Sequence, residues 1–381
     1  MTQPSSSQRM RIFFLVLFGQ QISLIGSGLT GFAMGVWVYQ RTGSVTQLSL
    51  VSLSAILPGI LVSPLAGFQR GDNPAGAQTA SRQGQRYDAF RRSRGPACTP
   101  VIAGVLMGII HIQGVILIDF ATFIFAVTTL MIVRIPDIEK TSVGESGKGS
   151  VLREAVYGWL YITARPGLFG LLIFFAATNF FSASVGMLVT LLVLSFASAA
   201  VLGAIMTTGG LGMLAGSLIM GVWGGPKQLI LGIFGFSLLC GLSIMAAGFY
   251  THALLLTVFA FLYFFGVPII NGCSQVIWQR KVAPDIQGRV FATRNMIALS
   301  SIPFGYLTAG PLADHVFEPL MAIGGPLAET LGRVIGTGPG RGIGLMFIIM
   351  GVFIMLATVI AYGYLPLRRV EDDLTDEIHG I

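Results

Sequence analysis

The chain has 381 residues but only 39 ionised side chains, 23 Lys or Arg and 16 Asp or Glu, while 54% of its residues are hydrophobic and 27 are Phe. Soluble domains carry about 25% charged residues, and a water-soluble globule of this size could not cover its surface with so few polar groups. Most soluble enzymes and binding modules are thereby excluded, the solvent is lipid, and the net charge of +7 reads as cations retained on the cytoplasmic side rather than as a nucleic-acid footprint.

A helix needs about 20 apolar residues to cross roughly 30 Å of hydrocarbon. The first run, 12–38, is too long for a signal-peptide core and lacks a small-residue cleavage site. It places Gln20, Ser23, Ser27 and Thr30 at steps of three, four and three, on one helix face. A second span covers 46–68. Residues 69–100 then break the pattern: they are rich in Ala, Gly, Gln and Arg, contain no Lys and have no apolar periodicity. The span 96–113 is short and opens with Gly95, Pro96 and Pro100; 115–133 follows it and carries Asp119 well inside.

The stretch 134–167 is polar and reads as a cytoplasmic linker whose end, Val151 to Ala164, has the amphipathic make-up of a helix lying at the membrane interface. An ordinary helical lead-in to the next span fits as well. Six further spans are predicted at 168–192, 197–223, 228–249, 253–278, 290–313 and 343–365, with a cytoplasmic tail from 367 to 381. Asn179 lies in the first of these six, and Asn271, Gln275 and Gln279 recur every four residues in the fourth.

Charge sorting decides the status of 96–113. If it crosses and the N-terminus is cytoplasmic, 20 of the 23 Lys and Arg lie inside; if it does not, the split is 10 against 13. The expected architecture is therefore an all-α polytopic membrane protein of about ten helices, four in 1–133 and six in 168–366, with both termini cytoplasmic.

Several stretches are similar to the macrolide-efflux and enterobactin-exporter branch of the major facilitator superfamily. They are Gly19 to Gly28 with Trp37 to Gln40, Pro58 to Gly67, Trp278 to Phe291 with its Gln287-Gly288-Arg289-Val290 core, Gly310 to Asp314, the glycine-rich run Gly336 to Gly344, and Leu367 to Glu371. The resemblance implies a helical bundle of two halves with a small amphiphilic substrate bound between them near the midplane, alternating access, and a proton gradient as the driving force. It also implies a bacterial inner-membrane location. This chain departs from the pattern after Gly67, where the family's Gly-x-x-x-Asp-Arg loop is altered and its third and fourth helices have no counterpart. A damaged reading frame or internal deletion, and a genuine variant with a basic loop, both account for 69–100; the nucleotide sequence across 66–101 separates them.

Among candidate chemical groups, Asp119 stands out because ionisable groups inside a bilayer are costly. A proton-coupling carboxylate and a carboxylate hydrogen-bonded to a neighbouring helix are both open. The stripes Gln20/Ser23/Ser27/Thr30 and Asn271/Gln275/Gln279, with Asn179, suit a substrate pathway; interhelical hydrogen bonding and small-residue packing are the competing explanation, favoured for the serines. Asp285, Gly288, Arg289 and Arg294 form the best candidate for a cytoplasmic gate, against an ordinary solvated loop. Gly336 to Gly344 lacks the Lys-Ser/Thr ending of a phosphate loop and reads as a flexible outer connection. Cys98, Cys240 and Cys273 and the four histidines are too scattered for a metal or disulfide framework, so no cofactor is expected. No catalytic constellation points to an enzyme. Substrate identity and oligomeric state are not encoded in these patterns.

Overall fold

The computed structural model describes residues 26–27, 30–31, 33–54, 114, 116–124, 128, 151–283 and 286–373, with side-chain surroundings at 151–155 and 373 left aside. The spans 12–38, 46–68 and 115–133 are therefore described in part, whereas 69–113, most of the polar linker and the count of ten helices lie outside the described residues. The helices are α1 (33–42), α2 (Val45–Ser54), α3 (116–124), α4 (Val151–Thr163), α5 (Pro166–Leu194), α6 (Ala199–Trp223), α7 (Leu229–Phe249), α8 (Ala253–Lys281), α9 (Gln287–Leu312) and α10 (Arg341–Gly363). Six of them, α5 to α10, are long and apolar enough to cross a membrane, and each overlaps one of the six spans expected beyond residue 167. The described residues contain no strand.

These helices are apolar on every face, and the outward faces stay so. Val222, Leu254, Leu218, Ile360 and Phe304 are 92, 75, 68, 64 and 62% exposed. Side chains of this size standing outward on long apolar helices belong against lipid.

Lipid supplies no hydrophobic drive between helices, so close packing depends on small residues. A methyl group at Gly212 or Gly216 of α6 would overlap the Phe261 or Phe265 carbonyl oxygen of α8. Gly241 and Gly351 bring α7 and α10 together in the same way, and a methyl at Gly351 would come within 2.6 Å of the Gly241 oxygen. Between α5 and α9, Gly305 lets Ser184 Oγ reach the Gly305 carbonyl at 3.1 Å.

The start of α5 explains how α4 is set apart from it. Pro166 stands in the first turn, where its missing amide costs nothing, and Arg165 before it is extended. The stretch 151–163 is thus a helix of its own, set off from α5 by Ala164 and Arg165. Its Gly158 lies against Thr293 and the Arg289 carbonyl of α9, and Ile162 is fully buried, while Tyr157, Trp159 and Leu160 are exposed. At the other end, α9 stops at Leu312, close to the expected 313, but the helical path does not end there. It continues through a π-helical turn, Ala313–Phe317, into Glu318–Met321. Pro311 has no amide for the α-helical ladder, which accounts for a change of hydrogen-bond register just beyond it.

The buried apolar residues form two main layers. One, with Ile162, Leu171, Ile233, Trp278 and Val290, lies at the ends where α5, α7 and α9 begin. The other, with Leu48, Leu191, Leu202, Ile244, Ala309 and Phe347, lies at the opposite ends and includes residues of α1 and α2. Between these layers, at the middle of α5, α7 and α8, the lining turns polar.

Candidate functional site

The polar middle is a cavity of about 90 Å³. Thr178, Asn179 and Ser182 of α5, Ser237 of α7, and Tyr263 and Asn271 of α8 line it, with Phe175, Val267, Ile270 and Ile354 as apolar walls. These few polar side chains come together because they lie at the same depth, near the middle of α5, α7 and α8. Asn179 is held in place by donating Nδ2 to the Ala298 carbonyl of α9 at 3.1 Å. Asn271 is exposed, so its amide is available to whatever enters. Two amides, three hydroxyls and a phenol beside aromatic and aliphatic walls offer hydrogen bonds and contact area to part of an uncharged or weakly polar molecule, the cavity itself being smaller than the roughly 300–1,000 Å³ of a complete ligand pocket. The structure therefore brings Asn179 and Asn271 into one site.

Gln275, one turn further along α8, is committed elsewhere: its Oε1 accepts from Arg294 Nη1 at 3.2 Å. The guanidinium also lies over the rings of Trp278 and Phe291, 5.3 and 5.8 Å from their centroids. Arg294, a cation one turn inside α9, thus has partners within the bundle. Gln279 offers its backbone carbonyl to Gln287 Nε2 at 3.1 Å, and Val282 does so at 2.9 Å. Gln287 opens the Gln-Gly-Arg-Val motif, and here it closes the α8–α9 turn by satisfying carbonyls left over at the end of α8. Gly288 and Arg289 follow it in the first turn of α9, where the Arg289 carbonyl accepts from Thr293 at 3.0 Å. Asp285 lies outside the described residues.

A second knot stands beside this turn. The Glu371 carboxylate accepts the amides of Leu229 and Ile230 at 3.2 and 2.9 Å, capping the otherwise uncapped start of α7. Lys281, buried at 4% exposure, donates Nζ to the Glu371 carbonyl, and the Lys281 carbonyl in turn receives the Tyr161 hydroxyl of α4 at 3.3 Å. The segment 278–291 that carries the family resemblance is therefore largely a packed knuckle: Trp278 and Val282 are also buried.

Asp119 of α3 accepts a hydrogen bond from Ser27 Oγ at 3.2 Å, across 92 residues of sequence. Helix contact is close here, for a methyl at Gly26 would overlap Thr122 Oγ1 and come within 3.2 Å of the Asp119 Cα. Thr30, a turn on, has a buried hydroxyl with no protein partner. Gln20 and Ser23 lie outside the described residues.

Two carboxylates stand at the far end of the bundle. Asp314, beyond α9, accepts the Val45 and Thr46 amides at 3.0 and 2.9 Å and the Ser44 and Thr46 hydroxyls at 2.9 and 2.8 Å. Glu318 accepts the Gly340 and Ile343 amides at 3.1 and 3.0 Å, at the start of α10. Both line an open depression of about 540 Å³ together with Tyr39 and Pro339. The glycine run 336–344 is consequently not the loose connection expected. Its positive-φ glycines at 336, 338 and 340 fold the backbone back so that amides converge on Glu318. Glu318 and Glu371 act at long range on helix starts, whereas Gln287 closes a local turn, and no spacing in the sequence marks any of these roles. Asp314 sits within a quoted motif, but nothing near it names α2 as its target.

Among the described residues, no group of three or more His, Cys, Asp or Glu is placed to hold a metal ion. The geometry defines a multi-pass α-helical membrane protein with a polar chamber between two apolar layers. Residues 93–306 match the Major Facilitator Superfamily family model, more than half the chain, and the chain belongs to that family of transporters. It is 23% identical over 365 residues to macrolide efflux protein A of Streptococcus pyogenes, covering 80% of this chain and 90% of that protein. A macrolide efflux protein A of Enterococcus faecalis is 25% identical over 211 residues, covering 54% and 65%. The fold is also that of a bacterial homologue of the human lysosomal transporter Spinster, solved in an inward-facing, unoccupied conformation. That comparison has a TM-score of 0.65 at 11% identity and covers 97% of this chain and 99% of the other.

Proposed function

We propose that this transporter exports drug-like or siderophore-like amphiphiles across the bacterial inner membrane by alternating access, driven by proton antiport. The observation that carries the reading is the polar chamber between apolar layers, with Asn271 exposed in it and Asn179 anchored across it. Similarity to macrolide efflux proteins over 90% of the length of one of them supports export as the direction. In this reading Gln20, Ser23, Ser27 and Thr30 supply the opposite wall of the pathway. Asp285, Gly288, Arg289 and Arg294 belong to the gate at the cytoplasmic mouth, and both termini are cytoplasmic.

Asp119 is the proposed proton-coupling group. Its hydrogen bond from Ser27 ties it to the first expected span, so protonation there would alter the contact between residues 26–27 and α3. Efflux of a dye or antibiotic by vesicles carrying the protein, driven by an imposed proton gradient, tests the reading. Asp119→Asn is expected to abolish gradient-driven transport; unchanged, pH-dependent transport in that variant removes Asp119 from the mechanism.

The alternative suggested by the charged, aperiodic stretch 69–100, an inserted chain that does not transport, is not favoured by the family match, the efflux relatives and the fold. The alignment with the Streptococcus pyogenes protein runs over 365 positions yet uses 80% of this chain, so gaps fall within this chain. Transport above that of empty vesicles eliminates this alternative.

A further inference from the structure

We propose that Asp314 is an outer latch, a positioning residue that holds the N-terminal helices against the six-helix bundle and must let go before the transporter opens outward. The charge sorting assigns this end of the bundle to the outside, since α2 begins and α9 ends here. Asp314 belongs to the turn after α9, and all four of its donors belong to the start of α2 or the residue before it, some 270 positions earlier in the chain.

Two features make this a latch and not a local cap. The first is the use of the carboxylate: both oxygens accept, from two amides and two hydroxyls, so the contact requires an acceptor-only side chain at that point. The amides are those that α2 leaves unsatisfied at its N-terminus, where negative charge is also favoured by the helix dipole. The second is the seating beneath it. A methyl at Gly310 would overlap Ser49 Oγ and come within 2.8 Å of the Thr46 Cα, so α9 and α2 touch backbone to backbone one turn below the carboxylate. Ser49 is buried there, its hydroxyl turned to the Val45 carbonyl. Glu318 differs in kind, because its amide donors lie at the start of α10, within the same bundle. Among the described residues, three carboxylates close on helix starts, Asp314, Glu318 and Glu371, and of these Asp314 alone joins α2 to the bundle.

The inference rests on the alternating-access reading, but its test measures separation and not transport, so the two fail separately. Spin labels are placed at Gln47→Cys and Glu329→Cys, both exposed positions at this end, with Cys98, Cys240 and Cys273 replaced by Ala. Distances are read in detergent for the parent, Asp314→Asn, Asp314→Glu, and the Ser44→Ala/Thr46→Val double variant. The Asn amide presents donors to donors, so the ratio of long-distance to short-distance populations is expected to rise about tenfold or more. The double variant, which deletes two of the four donors and leaves the bundle untouched, is expected to shift in the same direction, and Asp314→Glu less. If Asp314→Asn does not yield monodisperse protein, the double variant decides. Distance distributions superimposable on the parent in the monodisperse variants overturn the latch.

Discussion

Asn271 and Gln287 illustrate two kinds of polar residue inside one apolar bundle. Asn271 faces the cavity and is exposed there, so Asn271→Leu leaves no buried partner unsatisfied and should change stability by no more than about 0.5 kcal/mol. Transport in vesicles should nevertheless fall at least about tenfold, the loss of a hydrogen bond that a bound ligand cannot replace. A full-rate Asn271→Leu variant would remove the cavity from the pathway. Gln287 instead serves the fold: its amide donates to two carbonyls at the end of α8. Gln287→Ala should lower stability by about 1–3 kcal/mol, measured by chemical unfolding in detergent, because two acceptors lose their partner. Glu371→Ala should behave similarly by uncapping α7, while the backbone carbonyl that Lys281 donates to is retained.

At the scale of elements, helix contacts depend on where a side chain is missing. Gly216→Val places atoms in the Phe265 carbonyl oxygen of α8, and α6 and α8 cannot stay in register; monodisperse yield on size-exclusion chromatography should collapse. Gly235→Ala, where nothing lies within 4 Å, is the matched control and should express like the parent. Equal yields for the two would contradict this packing.

The six long helices were legible in sequence because apolar length alone marks them, and their ends agree with the spans to within a few residues. The helical continuation beyond α9, 313–321, is what the spans missed, since a register change after Pro311 has no periodic signal. The cavity was half legible. Asn179 and Asn271 stand out as polar residues in apolar helices, but Gln275 carried the same signal and is spent on Arg294. Only the three-dimensional neighbour tells these cases apart. The long-range caps made by Asp314, Glu318 and Glu371 were not legible, because their partners lie 22 to 270 residues away.

For the whole molecule, the lipid-facing surface and the sorted charges make one claim about orientation. Cysteines placed singly in 39–45 and at Thr330 should react with a membrane-impermeant maleimide in intact cells, whereas one at Lys227 should react only after permeabilisation. Labelling at Lys227 from outside would invert the proposed topology. The stretch 69–100 bears on the same scale, because it decides whether the first helices form a working counterpart to the six-helix bundle.

The central claim is that this member of the major facilitator superfamily moves an amphiphile outward through the polar chamber. The most direct measurement is dye or antibiotic transport in proteoliposomes under an imposed proton gradient, with parent protein, Asn271→Leu and empty vesicles side by side. The account predicts gradient-dependent transport by the parent, at least about tenfold less by Asn271→Leu, and none by empty vesicles. Parent protein that transports no more than empty vesicles, while folded and monodisperse, would contradict it.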